Sequence, residues 1–214
     1  MPLDLTPDRG LLFRIVHIDN LPWLLANGLP CAQGPKAPNF IAIGSPNLIE
    51  KRTTRIVPVP PGGTLADYIP FYFTPRSPML LNIRTGYGDV TQRSNEEIVV
   101  LVTAIPTLVE RGVPFLFTDR HAFVRLAQFS ANVGDLPTFI DWAILCNSDF
   151  RKAEHYPDKM ERYMAEALVH RHLPVGALRG IVCNSAATQR RVETLVHSVG
   201  LALRIASKPN WYFQ

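Results

Sequence analysis

The chain has 214 residues, 22 Lys and Arg against 18 Asp and Glu, and a hydrophobic content of 47%. That length suits one domain, residues 1–214, with a single core buried without staples, and no apolar run approaches the roughly 18 residues of a membrane span. The basic excess favours polyanions without requiring one, Met1–Gly10 lacks the pattern of a signal peptide, and Cys31, Cys146 and Cys183 show no CxxC spacing, so a reducing cytoplasm fits better than a disulfide framework or a zinc site.

The first element is a buried strand, Leu11, Leu12, Phe13, Ile15 and Val16, which runs out at His17 where an aspartate begins. Asn20-Leu21-Pro22 starts a short helix that Gly28 ends. Pro30 to Gly63 reads as a long irregular crossing with one helix, "SPNLIEKR", capped by Ser45. The prolines of "DYIPFYFTPRSPMLLNI" confine that segment to edges, bulges or short strands and make it a plausible wall for a site. "EEIVVLVTAI" is the clearest buried strand, followed by the helix "PTLVERG" and the strand "VPFLFTD".

"DLPTFIDWAILC" has helical spacing, and "NSDFRKAEHYPD" then loses all period and reads as a loop. A helix in "PDKMERYMA", strands in "EALVHRHL" and "LRGIVCN", and an amphipathic helix in "SAATQRRVETLVHSVG" follow, with Val192, Leu195, Val196 and Val199 as its apolar stripe. "LALRIAS" and "NWYF" close the chain. About six or seven strands interleave irregularly with four or five short helices, which predicts an α+β protein with a mixed sheet. The phosphate fingerprints GxGxxG and GxxxxGK[ST] are absent, so a bound nucleotide needs another kind of grip.

Glu166 lies between a helical segment and the apolar Ala167-Leu168-Val169, after a loop, so it either faces solvent at an element boundary or is delivered to a site. Arg52, with Arg55 as its near competitor, is either a solvated cation at a helix end or a bidentate clamp for anionic groups. His17, taken alone, reads more often as a satisfied structural histidine than as a ligand. His170-x-His172 has metal-like spacing without a third ligand, and "DRHA" at 119–122 looks triad-like without a serine elbow, so Asp119 and His121 read as loop hydrogen bonding. Arg76, Arg84, Arg93, Arg151 and Lys152 interleave with Tyr68, Phe71, Tyr72, Phe73 and Phe150, a pattern shared by single-strand nucleic-acid binders and by ordinary packed loops.

Taken in order, "RIVHIDNLPWLLANGL", "IGSPNLIEKR", "GGTLADYIPFYFTPRSPML", "NEEIVVLVTAI", "VPFLFTDRHA", "IDWAIL", "DFRK" and "ERYMAEALV" resemble the DarT DNA ADP-ribosyltransferase toxins of bacterial toxin–antitoxin pairs, from about residue 11 to the terminal "WYF". The resemblance implies the ADP-ribosyltransferase fold related to poly-ADP-ribose polymerases, NAD as co-substrate without a metal, transfer to thymidine in single-stranded DNA, and a macrodomain antitoxin that removes the mark. It matches Glu166 and Arg52 to the catalytic pair, His17 with Ile18 and Asp19 to the NAD grip, and Gly34 and Tyr72 to further cofactor contacts. It also matches residues 147–158 to the substrate-recognising loop. Arg76, Arg151 and Lys152 are expected DNA contacts from their position among aromatic residues, and a monomer is expected. An enzyme of this fold acting on RNA, another base or protein, and a non-catalytic single-strand binding module, are the alternatives. Proton removal from thymine falls to Arg52 by resemblance, which is chemically uncomfortable for a guanidinium; the other reading has Arg52 stabilising a ring oxygen while a separate base takes the proton. A boundary carboxylate at Glu166 would be replaceable by alanine without loss of the fold.

Overall fold

The computed structural model describes residues 3–151 and 153–214. β1 (Leu11–His17) leads through a single 3-10 turn into α1 (Leu21–Asn27) and the two-residue β2 (Leu29–Pro30). A long irregular segment then reaches α2 (Pro46–Arg52), β3 (Tyr68–Tyr72) and α3 (Pro78–Thr85). The middle of the chain holds β4 (Ile98–Ala104), α4 (Ile105–Glu110), β5 (Phe115–Thr118), β6 (Phe129–Ser130), α5 (Leu136–Phe139) and α6 (Trp142–Asn147). The last third holds α7 (Lys159–Tyr163), β7 (Glu166–His170), β8 (His172–Leu173), β9 (Gly180–Cys183), α8 (Ala186–Ser198) and β10 (Arg204–Ser207).

Eight strands form one mixed sheet in the order β10-β9-β4-β1-β3-β7-β5-β6, and β2 pairs with β8 apart from it. Short helices flank the sheet, as the α+β expectation had it. Among the described residues, β10 and β9 form the one parallel pair. Among the described residues, no helix is long and apolar enough to cross a membrane.

The centre of the sheet is where it gives way. β1 pairs with β4 along its whole length, from Leu11 opposite Ala104 to His17 opposite Ile98. With β3 it shares a single pair, Phe13 opposite Tyr72. The two halves of the sheet therefore part toward the His17 end of β1, and the seam becomes a cleft.

Pro70 explains why the seam lies there. The sequence predicts edges, bulges or short strands for this segment; β3 is a short strand of five residues, but it lies in the interior of the sheet, with Pro70 opposite Leu168 of β7. Its carbonyl faces β1, where the Arg14 guanidinium donates to it at 2.8 Å. The missing N–H is on that same side, where no ladder asks for it, so an interior proline costs no strand hydrogen bond.

Four other elements differ from the sequence reading, each for a local reason. "PMLLNIRT" is helical because Ser77 caps it, accepting from the Leu80 amide at 3.2 Å, while Pro78 fills the first turn. The single helix expected over residues 135–146 is two, because Ile140 is extended and the Asp141 side chain, accepting from the Ile144 amide, caps a fresh start at Trp142. "EALVHRHL" is cut at Arg171, whose φ of +58° turns the chain out of the main sheet into β8. On α8, Val192 and Val196 enter the core and Leu195 packs on its margin, whereas Val199 is exposed.

Candidate active site

A cavity of about 440 Å³ opens along the seam between β1 and β3, walled by those strands, by the segment from Pro30 to Ser45 and by α2. Arg14, His17, Arg52, Tyr72, His121 and Glu166 all line it. These six come from five separate stretches of the chain, β1 supplying both Arg14 and His17, and meet because the sheet parts here.

Glu166 is the first residue of β7, directly opposite Tyr72 on β3, and it is 1% exposed. Its carboxylate accepts from Arg52 Nη1 at 3.0 and 3.3 Å and from the backbone N–H of Ala122 at 3.1 Å. Its own amide donates to Thr118 Oγ1 at the end of β5. A buried carboxylate held by a charged partner and a backbone donor cannot swing, which is the condition for fixed electrostatic stabilisation.

Arg52 is the last residue of α2, a helix fixed at its other end by Ser45, whose hydroxyl accepts from the Leu48 amide and donates to Asp89. Asp89 also accepts from the Asn47 amide, and these hydrogen bonds hold its carboxyl below the usual range. Short as it is, α2 is thus anchored well enough to aim the guanidinium at its C-terminus. Nη1 is spent on Glu166, while Nη2 is buried without a hydrogen bond among the described residues. An orphaned guanidinium nitrogen in a cleft calls for an anionic or carbonyl oxygen from outside. Arg55 does not compete for this place: it donates to the Val124 carbonyl instead.

His17 is 3% exposed, and its Nδ1 accepts from the Asp19 amide at 3.2 Å, leaving Nε2 toward Glu97 at 3.6 Å. Ile18 is buried in the core, and Asp19 is exposed, pairing with Arg191 at 2.7 Å; neither borders the cavity. Gly34 sits just outside the lining, between Ala32 and Lys36, which belong to it.

Glu97 closes a capping box with Ser94 immediately before β4; those two bonds, then Arg93 and His17, lower its carboxyl to about 2. A folded-state value below the unfolded 4.5 stabilises the protein above pH 4.5 and ceases to do so as pH falls toward 2. Glu97→Gln is therefore expected to lower Tm by about 2–4 °C at pH 7, the equivalent of about 1 kcal/mol, with the gap closing between those two pH values. Thermal melts across the acid range check this; a gap of constant size would contradict it.

Two lining residues escape the sequence reading. Arg14, half-buried on β1, is lowered to about 10 by burial and then by the neighbouring Arg52 cation. His121, just after β5, stands with Nε2 3.5 Å from Glu166 Oε1. Burial, reinforced by Arg52 and opposed by Glu166 and Glu161, lowers its pKa and so favours the neutral ring. Tyr72 is raised by burial and by Glu166, and so is a neutral phenol. The triad-like "DRHA" was the one signal for His121.

Of the expected DNA contacts among the described residues, Arg76 and Arg151, neither lies in the cavity lining. Arg76 donates to the carbonyls of Asn210 and Tyr212 and lies over the Phe213 ring at 4.4 Å, which ties down the C-terminal segment. Arg151 projects from the loop after α6, its side chain 89% exposed and paired with Asp149. Lys152 lies outside the described residues. His172 bonds the Asn27 carbonyl, and among the described residues no group of three or more His, Cys, Asp or Glu gathers as a metal site.

The comparisons agree with this architecture. A DNA ADP-ribosyl transferase of Escherichia coli O127:H6 is 45% identical over 210 residues, 98% of this chain and 96% of that one. The structure of Thermus sp. 2.9 DarT in complex with ADP-ribosylated ssDNA superposes with a TM-score of 0.89 at 31% identity, covering 100% of both chains. The same protein in complex with NAD+ gives a TM-score of 0.86 at 29% identity, covering 97% of this chain and 100% of that one. The family model for "ssDNA thymidine ADP-ribosyltransferase, DarT" matches residues 13–213, and the chain belongs to that family.

Proposed function

We propose that this chain transfers ADP-ribose from NAD+ to thymidine in single-stranded DNA and releases nicotinamide, with Glu166 and Arg52 as its catalytic pair. One observation carries the assignment of roles: a carboxylate and a guanidinium 114 residues apart meet at 3.0 Å on the wall of one cleft, and the guanidinium keeps a second nitrogen unpaired. Arg14 and Lys36 join Arg52 as cations on that wall, which suits the diphosphate of a dinucleotide substrate.

Breaking the bond between nicotinamide and ribose leaves an oxocarbenium-like sugar. Glu166, held in place by Arg52 and the Ala122 amide, stabilises that positive charge and holds a ribose hydroxyl. Arg52 orients Glu166 and offers Nη2 to an anionic oxygen. His17, flanked by Ile18 and Asp19, fixes the orientation of the donor, Tyr72 lines its site, and the turn at Gly34 supports the lining residues Ala32 and Lys36 from just outside it.

The DNA strand would cross the outer face near the loop after α6. Arg151→Ala is expected to weaken binding of an oligodeoxynucleotide and to reduce the slope of log Kd against log salt by about 0.7. An unchanged slope would remove Arg151 from the path. Family resemblance also supports a macrodomain antitoxin as partner, one able to strip the modified oligonucleotide.

The deciding experiment is mass spectrometry of short single-stranded oligonucleotides after incubation with NAD+. Addition of one ADP-ribose to thymidine-containing strands alone is expected. Modification of RNA or protein in its place would overturn the acceptor, and loss of NAD+ with no adduct would leave a hydrolase.

A further inference from the structure

Joining thymidine to the ribose breaks the ring N–H bond as the new N–C bond forms, so some group must accept that proton. The cavity offers few. Arg14 and Arg52 on β1 and α2 are cations already, and Lys36 is an ammonium whose Nζ donates to the Ala32 carbonyl. Glu166 is occupied by Arg52 and the Ala122 amide. Tyr72 is a neutral phenol with no proton to gain, and the Nδ1 lone pair of His17 already accepts from the Asp19 amide.

We propose that His121 is the base that takes the thymine proton, and that it works as a dyad with Glu166. Nε2 faces a carboxylate oxygen at 3.5 Å, which places the proton of the neutral ring on Nε2 and leaves the Nδ1 lone pair free. Among the described residues, the imidazole makes no hydrogen bond that would occupy Nδ1. Burial helps keep the ring unprotonated before reaction. During transfer the ring N–H proton passes to Nδ1, the electron pair left on nitrogen forms the bond to the ribose carbon, and the bond to nicotinamide breaks with its electrons going to that ring. NAD+ and thymidine thus give ADP-ribosyl-thymidine, neutral nicotinamide and one proton, which the imidazolium returns to water. While charged, the imidazolium forms an ion pair with Glu166, the orienting logic of carboxylate–histidine pairs in other enzymes. Three charged side chains face it: Glu166 from β7, Arg52 from α2 and Glu161 from α7.

The inference rests on the proposed transfer to thymidine, and a test must separate the two. Wild type, His121→Asn and His121→Ala are assayed by mass spectrometry on an oligodeoxynucleotide carrying one thymidine, and on its counterpart with 5-fluorouridine, whose ring N–H is more acidic. His121→Asn is expected to lose about 10²- to 10⁴-fold in transfer to thymidine, and clearly less on the fluorinated base, which needs less help to ionise. Added imidazole should restore part of the activity of His121→Ala. In the wild type, transfer should rise with pH to a plateau with a midpoint below 6.5. Equal losses on both bases, no rescue, or a wild-type rate flat across that pH range would overturn the base assignment. The pH arm holds even if the variants fold poorly. A wild-type protein that leaves thymidine unmodified would overturn the proposed function instead, and this step with it.

Discussion

Glu166→Gln is expected to reduce ADP-ribosyl transfer at least about 10³-fold, near the upper end of what a single electrostatic stabiliser supplies. It should also melt lower than the wild type, and that second result separates the structure from the sequence reading. A carboxylate at an exposed element boundary would be removable at no cost to the fold. Glu166 is instead buried, and neutralising it leaves the Arg52 guanidinium at 9% exposure without its anion. Breaking an enclosed pair from one side costs about 3–5 kcal/mol; a cleft that admits water brings this nearer to about 2 kcal/mol. Adding Arg52→Met to Glu166→Gln should recover most of that loss without recovering any transfer. Additive destabilisation in this double-mutant cycle would show that the two side chains do not depend on each other.

The parts of the molecule legible in the sequence are those decided within a few residues. Leu11–His17 and Ile98–Ala104 are predominantly apolar runs, and a run of that kind is a buried strand wherever it lies. Ser45 and Pro46 announce α2 by local capping chemistry alone. Pro70 shows the limit. Its interior place depends on how far β1 stands from β3, a tertiary property that no local rule contains.

The site divides in the same way. Glu166 and Arg52 were reached through resemblance, and their 3.0 Å contact needs β7 and α2 to face each other across the seam. Arg14 carries no local mark, and His121 carries only the triad-like "DRHA". Each looks like an ordinary polar residue beside a strand until the cleft gathers them. Conversely, the aromatic setting that marked Arg76 as a DNA contact is real, but its ring is Phe213 of the same chain.

Arg52→Lys separates pairing from catalysis more sharply than any truncation. Lysine keeps the positive charge, so the neighbourhood of Glu166 stays neutralised and Tm should fall by no more than about 2–4 °C. What it loses is the fork. In the wild type one arm of the guanidinium, Nη1, serves Glu166 while Nη2 waits in the cleft unpaired, and a single ammonium at the end of a flexible stem holds neither position rigidly. Transfer is therefore expected to drop about 10²- to 10³-fold, by loss of kcat more than by a rise in KM for NAD+, because the unpaired arm is best used where charge develops during reaction. If His121 takes the proton, the acid limb of the pH–rate profile should survive in Arg52→Lys at the reduced rate, since the base is still in place. Full activity in this variant would show that a point charge suffices beside Glu166 and that the unpaired nitrogen has no part in the chemistry. Disappearance of the acid limb with the lysine would return proton removal to the arginine.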